Sequence, residues 1–149
     1  ETPTGISFVN KSGDFQNSFR FSVKTSSETK RIRSLIKDWD VTVTPDQRSI
    51  QRFKLQATAN SEYKTCQICT DSGNIVLYFG SEATHAGNFV FQSNVSGSLI
   101  HRRTYPVEQL LSIMNLQGEK KMDFSDFGAI RISVSSDLID YQYTVRALS

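Results

Sequence analysis

Residues 63–79, YKTCQICTDSGNIVLYF, set the reading of the whole chain. Ile75-Val-Leu-Tyr-Phe79 is apolar throughout, the pattern of a central strand covered on both faces. The 63–70 run before it reads as a second strand. Between them Asp71-Ser-Gly-Asn74 is a short, glycine-containing link that suits a hairpin. The predicted class is therefore mainly β.

Both cysteines lie in this hairpin, at a C-x-x-C spacing. A redox pair of that spacing normally starts a helix, where the dipole lowers the thiol pKa. On a strand, residues three apart point to opposite faces, so Cys66 and Cys69 diverge. Cys66 shares its face with Ile68 and reads as a small buried hydrophobe. Zinc fares no better. Fifteen residues separate Cys69 from His85, and 15 more separate His85 from His101, where a finger needs about 3–5. Two free thiols, no metal and no cofactor are expected.

Working outward, strict alternation marks further strands with one wet face. Phe15, Phe19, Phe21 and Val23 share one parity; so do Phe53, Leu55, Ala57 and Ala59. Ile130, Ile132 and Val134 repeat the pattern, as do Tyr141, Tyr143 and Val145. Phe89 with Phe91, and Leu99 to Thr104, are two more strand candidates. Two segments follow the helical period instead. Over 28–39, Ile32, Leu35, Ile36 and Trp39 form a stripe opposite Lys30, Arg33, Ser34 and Lys37. Over 106–117, Val107, Leu110, Leu111 and Met114 do the same, with Pro106 in the first turn and Gly118 as a left-handed stop.

No internal repeat is visible in the sequence, so residues 1–149 read as one domain. Its expected architecture is an antiparallel β-sandwich or jelly roll of about 8–9 strands with two short connecting helices. A meander curved around one helix is the alternative. A chain of 149 residues with 10 Phe and 5 Tyr can bury a real core unaided. Its formal net charge of +2 provides no strong field toward nucleic acid. No apolar run approaches the roughly 18 residues of a membrane span, and ETPTGISFVN lacks the basic and apolar regions of a signal peptide. A soluble chain is expected, at a virion or extracellular surface.

Candidate chemistry is sparse. Ser81 or Thr84 as nucleophile with His85 as base could be drawn as a hydrolase triad, but no G-x-S-x-G elbow supports it. Asp126-Phe-Gly128 spells a kinase tripeptide in a chain too short for a kinase; it reads as a turn leading into the strand at 129–135. Asp123 with Asp126, and Asp137 with Asp140, read as solvated turn carboxylates. Lys30, Arg33 and Lys37 form one basic face, and His101, Arg102 and Arg103 a second cluster. Both are candidate binding residues, although flanking acids favour solvated surfaces over a nucleic-acid site.

A polar, aromatic-rich β-domain with little catalytic equipment points to a non-enzymatic assembly module. IHRRTYPVEQLL, a strand running into a short amphipathic helix, is faintly similar to jelly-roll coat proteins of small RNA viruses. The leading expectation is thus a coat or surface-projection domain of a viral particle, associating with itself or another subunit. A lectin-like module binding glycan or protein and a small Ser/His hydrolase are the alternatives. Nucleic acid is not an expected partner on this reading.

Overall fold

The computed structural model describes residues 5–9, 16–20, 38–80 and 87–148, the first two ranges by backbone alone. The chain divides into two compact units, Glu1–Leu35 and Ile36–Ser149. In the first, β1 (Gly5–Val9) pairs antiparallel with β2 (Gln16–Arg20), Gly5 opposite Arg20 and Val9 opposite Gln16. β2 falls inside the strand expected around Phe19. Of the helix expected over 28–39, residues 28–37 lie outside the described residues, and Asp38 and Trp39 are not helical.

The second unit runs β3 (Val41–Val43), α1 (Gln47–Ala59), β4 (Thr65–Asp71), β5 (Asn74–Phe79) and β6 (Asn88–Gln92). It continues with β7 (Arg103–Pro106), α2 (Val107–Met114), β8 (Glu119–Ser125), β9 (Ala129–Ser135) and β10 (Asp140–Arg146). One succession, β-α-β-β-β, thus occurs twice. The halves are interleaved: β3 pairs with β8 of the second half, and β7 pairs with β4 of the first. Two four-stranded antiparallel sheets result, ordered β10-β9-β8-β3 and β6-β5-β4-β7. The mainly-β class holds, but the jelly roll does not. Each run of three strands stays in one sheet as a meander, where a jelly roll sends its strands through Greek keys. The repeat escaped the sequence because it lies in topology, not in residue identity.

The opening hairpin forms as expected. Ser72 and Gly73 both have positive φ, 51° and 76°, the backbone of a tight two-residue turn. β5 pairs with β4 on one side and β6 on the other. Cys66 and Ile68 enter the main core, while Cys69 is buried outside it on the other face. Both thiols are free.

Residues 52–59 are not a strand. They belong to α1, whose buried residues Ile50, Phe53 and Ala57 follow the helical period. Asp46 caps the start by accepting from Ser49 N at 2.7 Å. Leu55, which completed the apparent alternation, is 68% exposed. At the 99–104 candidate, regular pairing begins only at Arg103 and runs to Pro106. Pro106 is the N-cap of α2 and retains extended φ/ψ. That helix ends at Met114, before Gly118. Gly118 is needed instead where the chain enters β8, because a Cβ there would meet Ser135 O at 2.3 Å.

The core lies between the inner sheet faces and the helices. Ile130, Ile132 and Val134 of β9 face it, as do Ile75, Leu77 and Phe79 of β5; each is at most 3% exposed. Phe53 of α1 meets Phe91 edge-on at 6.4 Å. A small apolar pocket of about 10 Å³ is lined by Phe53, Ile68, Leu110 and Met122 among others. α1 packs against α2 and β6, and α2 packs against β10. The helices therefore lie side by side, flanked by the end strands of the two sheets. Among the described residues, no helix is long and apolar enough to cross a membrane.

Candidate nucleic-acid interface

The helix layer exposes two unlike surfaces. α1 reads QRSIQRFKLQATA: Arg48, Arg52 and Lys54 are basic, and no acid falls within the helix. Arg48, Gln51, Arg52, Leu55 and Thr58 are exposed, and Lys54 is half-buried at the flank. Arg52 Nη1 donates to Val90 O of β6 at 3.0 Å, which braces the guanidinium while leaving other N–H donors on its fork. The nearest acid, Asp46, is the N-cap. Its carboxyl is held below the usual range chiefly by the Ser49 backbone N–H.

α2 carries one charged residue, Glu108, in its first turn, where a carboxylate suits the helix dipole. Gln109 and Ser112 complete its wet face. At its far end Lys120, only 5% exposed, donates from Nζ to Leu116 O at 2.6 Å and Gly118 O at 3.2 Å. Burial, and then the neighbouring Lys54 charge, lower the Lys120 pKa. This ammonium satisfies two carbonyls of the link between α2 and β8.

The sequence-derived candidates fall elsewhere. Lys30, Arg33 and Lys37, and likewise Ser81, Thr84 and His85, lie outside the described residues. His101 Nδ1 is 2.6 Å from Asp126 Oδ2, and His101 N donates to Asp126 Oδ1 at 2.8 Å. Arg103 Nε donates to Asp126 O at 3.0 Å. Arg102 instead places its guanidinium 4.1 Å over the Tyr78 ring. His101 and Arg103 thus meet at one carboxylate-bearing turn, and Arg102 is directed apart from them. Asp126 N also donates to Asp40 Oδ2 at 2.7 Å, tying in the segment before β3. Burial raises the Asp126 pKa, but the His101 backbone and ring outweigh it and the net shift is downward.

Asp126-Phe-Gly128 is the expected turn. Asp123 is not a turn residue: it sits at 2% exposure within β8, held by Thr42 and Arg131. Sequence reasoning also missed the α1 basic face, since a strand reading sends Arg52 and Lys54 to one wet sheet face. Pro45-Asp46 ahead of an i, i+3, i+7 apolar series was the signal available.

No protein-family model matches this chain, and no curated protein does. Solved structures do. Subunit beta of DNA polymerase III from Pseudomonas aeruginosa matches with a TM-score of 0.68 and 16% identity, over 98% of this chain and 40% of that one. The PCNA2–PCNA3 complex from Sulfolobus tokodaii matches with a TM-score of 0.59 and 12% identity, over 91% of this chain and 57% of that one. The chain shares its fold with both structures. The chain spans less than two thirds of either neighbour's length.

These neighbours overturn the expected viral coat or surface-projection domain, together with its virion setting and its lectin-like alternative; the residues of the hydrolase alternative, Ser81, Thr84 and His85, lie outside the described residues. The dismissal of nucleic acid as a partner falls too. A net charge of +2 averages over the whole chain, whereas binding responds to local charge, and α1 concentrates three cations without an internal acid.

Proposed function

We propose that Ile36–Ser149 is a module of a sliding clamp, which associates with further modules of the same fold and holds duplex DNA against its helix layer. The observation that carries this reading is the fold shared with a DNA polymerase subunit across nearly the whole chain. The second neighbour is a complex of two named chains, which supports assembly.

The local geometry suits the role. β10 and β6 end their sheets on either side of the helices, and a terminal strand presents backbone donors and acceptors that another strand can pair. Arg48, Arg52 and Lys54 provide the charge that phosphates attract, with affinity driven by counterion release. A clamp of this kind needs no base-specific contact.

Fluorescence anisotropy of a labelled short duplex, titrated with the full chain at several salt concentrations, tests the reading. Saturable binding that weakens linearly in log–log form with salt is expected. Absence of duplex binding at low salt, at concentrations where light scattering shows assembly, would reject it.

A further inference from the structure

We infer that, of the two helices, α1 grips DNA by phosphate contacts on a duplex, and that the topologically equivalent α2 is a bearing surface without phosphate contacts. This rests on the clamp reading above but goes beyond it. β3-α1 and β7-α2 hold the same place in the two halves of the module, so equal contributions would be the symmetrical outcome. The side chains break that symmetry.

α1 has Arg48, Arg52 and Lys54 and no internal carboxylate, while Asp46 is engaged with Ser49 N at its start. α2 has Glu108 and no cation. The lysine beyond its end, Lys120, is buried and has two donors committed to carbonyls. A phosphate approaching α2 meets repulsion from Glu108 and the amide and hydroxyl of Gln109 and Ser112. One approaching α1 meets two exposed guanidiniums separated by a single turn, with an ammonium at the flank.

The exposed face of α1 also specifies the form of nucleic acid. Arg48, Gln51, Arg52, Leu55 and Thr58 include no aromatic ring. Single-strand binders rely on rings to stack unpaired bases. A cationic helix face without rings favours the closely spaced phosphates of a duplex and reads no sequence.

The test compares Arg48→Gln, Arg52→Gln and Glu108→Gln in the full chain, by anisotropy on a duplex and on a single strand of the same length. With three phosphate contacts per module, each arginine substitution should lower the salt slope by about one third and weaken low-salt binding at least about threefold. Glu108→Gln should leave the slope unchanged, and the duplex should bind more tightly than the single strand. If the parent chain binds duplex with a salt slope that neither arginine substitution alters, the inference is overturned while the clamp reading stands. Equal or tighter single-strand binding overturns the duplex assignment. If the parent chain binds no duplex, the clamp reading itself fails and the inference with it.

Discussion

Arg131 donates to Asp123 Oδ2 through both Nε, at 2.9 Å, and Nη2, at 2.7 Å, across the β8–β9 pairing. Thr42 donates to the other oxygen at 2.7 Å from β3, and the Trp39 ring lies 4.6 Å from the Arg131 guanidinium. One buried carboxylate thereby joins three strands contributed by both halves of the module. Asp123→Asn should destabilise the fold by about 2 kcal/mol, less than for a fully buried pair because Arg131 retains solvent. A lower urea midpoint with an unchanged m-value is the expected signature.

The same contact fixes a direction of pH dependence. Burial opposes ionisation of Asp123, but the Thr42 hydroxyl and the Arg131 guanidinium outweigh it and hold the carboxyl below its ordinary value. Its stabilisation is complete above the unfolded value of about 3.9 and is lost as pH falls through the lower folded value. Asp126, lowered by His101, adds to the same decline. Urea midpoints of the parent chain should therefore fall below pH about 4, and those of Asp123→Asn should fall less steeply. Parallel curves would remove Asp123 from this role.

Gly97 lies in the crossing between the halves with φ +87°, and a Cβ there would stand 1.9 Å from Asp40 O. Gly73 has a similar φ of +76° but open space around its Cβ position. Gly97→Ala should cost roughly 3 kcal/mol or more, whereas Gly73→Ala should cost about 1 kcal/mol from backbone conformation. Denaturation of the two variants side by side separates conformation from close approach; equal losses would contradict the packing described.

Burial pushes the Cys66 thiol up to about 12, so almost no thiolate is present near neutrality. In a Cys69→Ser variant, alkylation at mildly alkaline pH should wait for unfolding and accelerate steeply across the urea transition. Reaction at the rate of an exposed thiol in the native state would show that β4 does not bury Cys66.

The legible parts of the fold were those whose signals are local. The β4–β5 hairpin carries its own turn, β9 carries clean alternation on one buried side, and β10 alternates in sequence although only its Val145 is buried. In RFKLQATA, Phe53 and Ala57 suit either period, while Leu55 and Ala59 complete an alternation although both are exposed. Tertiary packing of Ile50, Phe53 and Ala57 decided for the helix. β8 was obscured because Asp123 resembles a turn residue unless its partner on β9 is known. The interleaving of the halves depends on pairings between distant segments, which no window of sequence displays.

The most direct test of the clamp reading is topological. The assembled chain, incubated with a closed circular duplex, should remain bound through gel filtration in moderate salt and should be lost once the circle is cut to a line. Equal retention on circular and linear DNA of the same length, or none on either, would contradict a module that holds DNA by encircling it.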